Sequence, residues 1–287
     1  MSEFENENDI VDYEERFNLK EKHQKLLNIL MEFDKVCTEN GINYSLSCGT
    51  LLGAIRHKGF IPWDDDADVM MTRDEYNKLL SCSPLNNQIE IVKTTFLDRI
   101  TTVTDNPEKL YVDLFLFDRM PKHELVYRLK KDASILLRCY FVNAKQLHNA
   151  WNQNTYIKKV SRSLSVVAAM AIGAVLKGVF CRSSIWSFHD RIVATPKEKA
   201  SSNMKKMTDE IRVMKKYTYR AELFDDYTRL PFCGKQLMVI KDYESYLKYL
   251  YKDYMKWPPV EKRTPNSHLS LSEDETAARL SKLVKVI

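Results

Sequence analysis

The sequence predicts an α/β protein that combines a mixed sheet and flanking helices with a mainly helical, basic insertion. Two observations support this prediction. Helical and strand-like segments alternate over the first 120 residues, and strand character returns at residues 230–240. Between these parts, from Lys122 to about Arg220, the pattern is mostly helical. No glycine- or serine-rich linker interrupts the chain, so we expect one α/β domain with a helical lobe.

The predicted organisation has four parts. Residues 1–17 form an acidic lead-in, residues 18–121 the core, residues 122–221 the helical basic lobe, and residues 222–287 a return that completes the core domain. The formal net charge of +5 is unevenly spread, because Arg119–Arg191 holds thirteen Lys and Arg against three acids. A basic middle indicates an anionic partner.

The first predicted elements form a helix–strand–helix unit. Apolar residues recur at helical spacing from Asn18 to Asn40, and Asn40-Gly41 is typical of a left-handed helix cap. Residues 42–48 alternate between apolar and polar, which predicts a strand. Gly49-Thr50 ends this strand, and a short helix is expected from Leu51 to His57.

A second series of elements follows the turn at Pro62. Ala67–Met71 predicts a short strand, and Thr72 with Glu75 forms a capping box that begins a helix through Leu80. Further strands are expected at Glu90–Thr95, Arg99–Val103 and Tyr111–Phe117.

The last part of the chain predicts a hairpin and a helix. Leu230–Ile240 has strand character on both sides of Gly234. A tyrosine-rich helix is expected over Asp242–Tyr254, and Trp257-Pro258-Pro259 ends it because proline cannot donate the helical hydrogen bond.

Six cysteines are scattered singly along the chain, at Cys37, Cys48, Cys82, Cys139, Cys181 and Cys233. No CxxC pair or histidine at metal-ligand spacing accompanies them, so the sequence predicts neither a zinc site nor a disulfide framework. A reducing, cytoplasmic setting fits this pattern best. The N-terminal residues lack the basic and apolar regions of a signal peptide, so we expect none.

The apolar run Leu164–Leu176, LSVVAAMAIGAVL, is flanked by basic residues. It falls short of the ~20 residues that a membrane-spanning helix requires. One interpretation is a helix buried in the core. The alternative is an interfacial helix whose basic flanks contact anionic headgroups, which would place the protein peripherally on a membrane.

Four aspartates lie within five positions of the stretch FIPWDDDADVMM, at Asp64, Asp65, Asp66 and Asp68. In a strand, residues two apart share a face, so Asp66 and Asp68 project together while Ala67 and Val69 point to the core. Pairing Asp64 with Asp66 instead would aim Asp65 into the core, which is unfavourable without a partner. We therefore expect Asp66 and Asp68 to form the functional pair.

Two carboxylates on one face repel each other unless a hard cation lies between them, and Mg²⁺ prefers such oxygen ligands. A third ligand is expected from a neighbouring strand. Asp113 in YVDLFLF is the only charge within that apolar strand, where a buried acid needs a metal or a cationic partner. The alternative for Asp113 is an ion pair with Arg119 or Arg99.

The preceding stretch SCGTLLGAIRHKG is typical of a phosphate-binding turn. A strand that ends at Gly49-Thr50 and opens a helix presents backbone N–H groups and a helix N-terminus to a phosphate. Arg56, His57 and Lys58 would add positive charge. Together with the aspartates, this pattern predicts a phosphate cradle that faces a metal site.

This combination resembles the nucleotidyltransferase superfold, and the string YSLSCGTLLGAIRHKGFIPWDDDADVMMTRDEY resembles the LicD/fukutin-type phosphotransferase family. The resemblance continues in YVDLFLFDRMP and in LPFCGKQLMVIKDYESYLKYLYKDYMKWPP, so that it covers roughly residues 19–121 and 222–268. Three positions depart from the family pattern. Leu116 stands where proline is frequent, Cys233 where an acid is frequent, and Lys252 where a glycine usually precedes the aspartate that Asp253 matches.

The resemblance implies transfer of a phospho-substituent from a CDP-activated donor to a sugar hydroxyl of a glycan, lipid-linked glycan or teichoic acid precursor, with release of CMP. Phosphocholine is expected first, with phosphoribitol or phosphoglycerol as alternatives. Mg²⁺, or Mn²⁺, on Asp66, Asp68 and Asp113 would neutralise the diphosphate. Asp113 is the expected general base, and Asp65 and His57 are alternatives.

Further expectations concern Trp63, His57 and the basic residues near the C-terminal end of the resemblance. Trp63 could stack on a base or a choline ammonium, or it could pack in its turn. His57 could bind phosphate, or it could be a structural hydrogen-bonding residue. The family resemblance favours a phosphate clamp formed by Lys262, Arg263 and His268, whereas the charge pattern alone favours a solvated tail.

Two rival functions follow from the same residues. One is a true nucleotidyltransferase, whose basic lobe would bind a polynucleotide. No RNP-like, KH-like or helix-turn-helix pattern supports this, so no nucleic-acid partner is expected. The other is a non-catalytic, membrane-associated adaptor. An adaptor would be expected to lose the acids, and all of them are present.

Overall fold

A computed structural model of the chain describes residues 13–82, 85–93, 98–103, 110–138, 171–205 and 218–265. Its contacts divide the chain into two compact units. Unit 1 comprises Met1–Lys93, Asp98–Leu116 and Glu222–His268, and unit 2 comprises Thr94–Leu97, Phe117–Ala221 and Leu269–Ile287. Strands pair into a sheet and helices accompany them, so the predicted α/β class is confirmed.

Unit 1 begins with helix α1, Lys20–Glu39, close to the predicted bounds. The apolar residues expected on one face are buried, namely Leu26, Ile29, Leu30, Phe33, Val36 and Cys37. Asn40 follows as the C-cap, and Gly41 has a φ of 62°. The same buried face also carries His23 and Asp34, two polar residues that the apolar pattern does not explain.

Strand β1, Ser45–Leu46, is shorter than the predicted strand over residues 42–48. The reason is that nearby backbone N–H groups are bonded to side chains and not to a neighbouring strand. The N–H of Asn43 donates to Glu75 Oε2 at 2.8 Å, and that of Tyr44 contacts Met238 Sδ at 3.4 Å. Helix α2, Cys48–Arg56, then begins three residues before the predicted Leu51.

The sheet of unit 1 places β1 beside β2, Asp68–Thr72, then β5, Tyr111–Pro121, β4, Asp98–Thr102, and β3, Ile89–Lys93. Strands β4 and β5 are antiparallel, with Arg99 opposite Asp113. The N–H of Asp113 donates to the Ala67 carbonyl at 2.9 Å. This order brings Asp68 of β2 and Asp113 of β5 to adjacent strands.

Helix α3, Arg73–Ser81, follows β2 with the predicted capping box, since Thr72 Oγ1 accepts from the Glu75 N–H at 3.3 Å. Strands β8, Tyr227–Phe232, and β9, Lys235–Ile240, form the predicted hairpin. Helix α6, Tyr243–Tyr251, is capped by Asp242 and ends earlier than the predicted Tyr254. The Ile240 N–H donates to Ser45 Oγ at 3.0 Å, which ties the hairpin to β1.

Unit 2 contains two packed helices and a small strand group. Helix α4, Glu124–Arg138, and helix α5, Arg182–Val193, run in opposite directions, because Lys130 contacts the Ala194 carbonyl while Ser134 contacts His189. The end of β5 pairs with β6, Ala200–Lys205, which pairs with β7, Thr218–Arg220. Neither β6 nor β7 was predicted. Both strands are defined by pairing with distant segments and not by a local sequence pattern.

The apolar run over residues 164–176 is only partly described. Residues 164–170 lie outside the described residues, and the remainder belongs to a helix over residues 171–179. Val175 in this helix is 65% exposed, which contradicts the interpretation as a fully buried helix. Among the helices that the structure describes, none is long and apolar enough to cross a membrane.

The close packing of Gly53 against the backbone of residues 59–61 generates a first prediction. A Cβ added to Gly53 in α2 would lie 2.4 Å from the Gly59 carbonyl oxygen and 3.2 Å from the Ile61 nitrogen, and backbone atoms cannot move aside cheaply. We expect Gly53→Ala to lower the free energy of unfolding by about 1–3 kcal/mol in urea denaturation. Gly178→Ala is the control, since no atom lies within 4 Å of its added Cβ. Equal effects of the two substitutions would contradict this account of Gly53.

Candidate active site

The acidic segment Asp64–Asp68 links the Trp63 turn to strand β2. Asp65 and Asp68 are 8% and 7% exposed, while Ala67 has no exposed surface. Ala67 therefore faces the core, as strand parity predicts. Asp68 is buried although it lies on the opposite face of the strand from Ala67. Whether a buried carboxylate is charged depends on the groups around it.

Electrostatic interactions join four of the acids into one cluster. Burial, followed by the charge and hydrogen bond of Asp66, raises the pKa of Asp64 well above its ordinary value. Burial likewise raises the pKa of Asp68, and the charges of Asp66, Asp113 and Asp64 raise it further. Like charges this close cannot all ionise without a compensating cation. Asp64, Asp66, Asp68 and Asp113 are called the acid cluster below.

Asp113 is held by a cation from the neighbouring strand. Arg99 Nε donates to Asp113 Oδ1 at 3.0 Å, and the Arg99 guanidinium lies over the Tyr111 ring at 3.6 Å from its centroid. The ion-pair alternative for Asp113 is therefore present, through Arg99. Because Arg99 is fixed by the aromatic ring, it orients the carboxylate as well as neutralising it.

The acid cluster is a candidate site for a divalent cation. In the part of the chain that the structure describes, no three or more His, Cys, Asp or Glu side chains are already arranged to hold a metal ion. The donor chemistry nevertheless fits Mg²⁺, because the cluster offers carboxylate oxygens only and its members raise one another's pKa. A metal would bind here only with adjustment of the side chains.

Helix α1 fastens the acidic segment through two residues that the sequence analysis missed. Lys22 Nζ donates to Asp65 Oδ2 at 2.9 Å. His23 Nε2 donates to the Asp64 carbonyl at 2.7 Å, and its Nδ1 lies 2.9 Å from Glu14 Oε1. The only sequence signal was the position of His23 on the apolar face of α1, three residues before Leu26.

The expected phosphate turn at Gly49-Thr50 contacts the acids. A Cβ on Gly49 would lie 2.4 Å from Asp64 Oδ2, so the absent side chain makes room for that carboxylate. Thr50 Oγ1 accepts from the Asp68 N–H at 2.8 Å and is buried. Both residues lie in the first turn of α2, and both shape the segment around Asp64 and Asp68.

The basic residues expected beside this turn lie at the other end of α2, about 12 Å along the helix axis. Arg56 Nε donates to His57 Nε2 at 3.0 Å, and Lys58 Nζ donates to the Ile55 carbonyl at 3.2 Å. Burial and the charge of Arg263 lower the pKa of Arg56 to about 10, while Asp64 acts in the opposite direction. Of the three basic residues, Arg56 thus has an electrostatic link to the acid cluster.

His57 has a pKa lowered to about 3, first by burial and then by the charge of Arg56. It is therefore neutral at physiological pH. Its Nε2 accepts the Arg56 hydrogen bond, so the proton of the neutral ring is on Nδ1. A general base needs an available lone pair, so this arrangement disfavours His57 in that role.

Trp63 lies in an aromatic cluster that already contains a cation. Its ring centroid is 5.5 Å from that of Trp257 and 5.3 Å from that of Tyr13, and Trp63 is 5% exposed. The Arg263 guanidinium lies 5.0 Å from the Trp257 centroid and 5.7 Å from the Trp63 centroid. These contacts support the packing interpretation of Trp63 and give Arg263 a partner within the chain.

The remaining expected site residues are more peripheral. Lys262 is exposed in a short 3₁₀ turn, and His268 lies outside the described residues. Sequence reasoning also missed Tyr251 at the end of α6. Partial burial raises its pKa, and the charges of Cys48 and Asp68 raise it further, so Tyr251 lies near the acid cluster.

Comparison with known proteins assigns the chain to a family. Residues 41–134 match the family model described as LicD/FKTN/FKRP, nucleotidyltransferase domain. The chain is 30% identical over 270 residues to the lipopolysaccharide cholinephosphotransferase LicD of Haemophilus influenzae, a match that covers 88% of this chain and 96% of the relative. It is also 31% identical over 124 residues to the uncharacterized protein RP689 of Rickettsia prowazekii, which covers 38% of this chain and 47% of that protein. The chain belongs to the LicD family.

Proposed function

We propose that this protein transfers phosphocholine from a CDP-activated donor to a sugar hydroxyl of a cell-surface glycan or teichoic acid precursor, and releases CMP. The observation that carries the proposal is the acid cluster on adjacent strands beside the first turn of α2, in a chain of the LicD family. The Haemophilus influenzae relative is a lipopolysaccharide cholinephosphotransferase, which supports phosphocholine before phosphoribitol or phosphoglycerol.

We assign Mg²⁺, or Mn²⁺, to Asp66, Asp68 and Asp113. When bound, the ion would neutralise the donor diphosphate and the charge that these acids accumulate. Arg99 would hold Asp113 in place through the contact at 3.0 Å. Lys22 would hold the same segment through the Asp65 carboxylate, at 2.9 Å.

Asp113 is the proposed general base. Of the alternatives, His57 is neutral and uses Nε2 to accept from Arg56. Asp65 and Asp113 are each ion-paired, with Lys22 and Arg99, but the Asp65 side chain is only 10% exposed. Asp113 lies on the strand beside the acids, and its side chain is 16% exposed. A base must approach the hydroxyl proton to hydrogen-bonding distance, so partial exposure supports Asp113.

The first test of the function is substitution of the paired acids. We expect Asp66→Ala and Asp68→Ala each to lower CMP release from CDP-choline, with Mg²⁺ and a glycan acceptor, by about 100-fold or more, because transition-state charge would lose its stabilisation. Asp226→Ala is the control, since the Asp226 side chain is 74% exposed and contacts Lys241 at 3.7 Å. CDP-ribitol and CDP-glycerol in parallel distinguish the donor.

The thermal midpoint in the presence of Mg²⁺ tests the metal site separately from the transfer reaction. Mg²⁺ should raise the thermal midpoint of the wild-type protein by mass action and leave that of the two acid variants unchanged. If both variants keep full turnover and full Mg²⁺ stabilisation, the metal assignment is wrong. If Mg²⁺ stabilises only the wild type but no CDP-linked alcohol is cleaved, the site is right and the donor class is wrong.

The ion pair between Lys22 and Asp65 generates a separate prediction. Lys22→Met leaves the Asp65 carboxylate buried without its cation, and Asp65 Oδ1 has no hydrogen-bond partner among the described residues. We expect the free energy of unfolding to fall by about 1–3 kcal/mol, measured by urea denaturation. The matched control Lys25→Met removes an exposed pair with Glu21 on the same helix and should change little.

A double substitution decides whether the ion pair is responsible for this loss. Because Asn carries no charge, Lys22→Met combined with Asp65→Asn should recover most of the stability that Lys22→Met loses. Loss of stability in the double variant equal to the sum of the two single losses would show that Lys22 and Asp65 act independently.

The shifted pKa of His57 predicts a pH dependence. Because the folded-state pKa of about 3 lies below the ordinary value of 6.5, the unfolded chain binds a proton more readily than the folded one. This contribution to stability is complete above pH 6.5 and is lost progressively as the pH falls towards 3. We expect His57→Gln to make the thermal midpoint less sensitive to acid over this range. An unchanged acid sensitivity in this variant would refute the assignment.

A further inference from the structure

Unit 2 presents an apolar face that the acid cluster does not use. In the helix over residues 171–179, Val175 and Val179 are 65% and 66% exposed. Phe180 follows this helix at 48% exposed, and Phe188 on α5 is 54% exposed. Positions 175, 176, 179 and 180 repeat at spacings of three and four residues, so these side chains form one helical stripe.

A groove joins the stripe to helix α5. It has a volume of about 570 Å³, and its lining includes Leu176, Phe180, Ile185, Phe188 and Arg191. Leu176 and Phe180 come from one side of the groove, and the other three residues come from α5. The exposed apolar side chains therefore belong to one continuous surface, called the 175–191 face below.

The charges of this face are mostly positive. From residue 171 to residue 191 the sequence contains three cations, Lys177, Arg182 and Arg191, against one acid, Asp190. Arg191 lines the groove. Lys177 is exposed beside the stripe. Apolar side chains bordered by cations are complementary to the acyl chains and phosphates of an anionic lipid surface.

A second exposed apolar pair in unit 2 has a different charge environment. Leu125 and Leu129 on α4 are 68% and 61% exposed. They are bordered by two ion pairs, Glu124 with Arg128 and Asp132 with Lys131. Within these pairs each cation is offset by an acid that an anionic surface would repel. The 175–191 face instead has more cations than acids, so its charge balance distinguishes it.

We propose that the 175–191 face binds the surface of an anionic lipid bilayer. Val175, Val179, Phe180 and Phe188 insert at the boundary between headgroups and acyl chains, and Lys177 with Arg191 contacts lipid phosphates. The described helix over residues 171–179 lies in the interface and does not span the bilayer. This proposal concerns a different surface from the acid cluster, and it stands whether or not CDP-choline is the donor.

The test is flotation of the full-length protein with vesicles of phosphatidylcholine alone or with added phosphatidylglycerol. We expect binding only to the anionic vesicles, and weaker binding at high salt. Phe180→Ser with Phe188→Ser should weaken binding by roughly tenfold or more, because less apolar surface is transferred from water. Leu125→Ser with Leu129→Ser is the matched control and should bind as the wild type does.

The charge contribution is measured with Lys177→Gln and Arg191→Gln. Each should weaken binding to anionic vesicles by roughly fivefold. Circular dichroism and the thermal midpoint check that all variants remain folded. These experiments do not require turnover, so failure to bind vesicles leaves the proposed reaction untouched.

Three results would overturn the proposal. The first is equal binding to neutral and anionic vesicles, and the second is full binding by the Phe180 and Phe188 double variant. The third is absence of binding to both kinds of vesicle. If light scattering then shows self-association that this double variant abolishes, the 175–191 face is assigned to contact between copies of the chain.

Discussion

The burial of several like charges in one short segment is the constraint on which the structure of unit 1 depends. Asp64 and Asp68 have raised pKa values because burial and neighbouring acids both disfavour their charged forms. Repulsion between these carboxylates would displace the segment if other contacts did not hold it in place. The chain fastens it through His23 at the Asp64 carbonyl and through Thr50 at the Asp68 N–H. Its backbone bonds thus oppose the repulsion between its side chains.

The cations near the acids are engaged in specific contacts. Lys22 pairs with Asp65, Arg99 pairs with Asp113, and Arg263 lies against Trp63 and Trp257. These contacts orient individual residues, and they do not relieve the repulsion between Asp64, Asp66 and Asp68. A ligand that brings positive charge into the acid cluster would be favoured for this reason, whereas a bare diphosphate would be repelled. The proposed requirement for a divalent cation follows from this imbalance.

The sequence predicted the elements of unit 1 well because their signals are local. Helix periodicity, the Thr72–Glu75 capping box and the turn around Gly234 each depend on neighbouring residues. Lys22 and Tyr251 were missed because their proximity to the acids depends on packing between distant segments. Arg56 and Lys58 were placed near the phosphate turn by sequence distance, and the length of α2 separates them from it.

The end of α6 holds a lysine in a backbone conformation that favours glycine. Lys252 has φ 59° and ψ −104°, a combination that L-residues avoid and glycine adopts readily. Holding a lysine in this conformation costs about 1–3 kcal/mol. Its N–H still closes α6 by donating to the Lys248 carbonyl at 2.9 Å. Because this turn directly follows Tyr251, a relaxed backbone here would move the tyrosine that lies near the acid cluster. The strained residue therefore directly adjoins a side chain whose pKa is raised by the charge of Asp68.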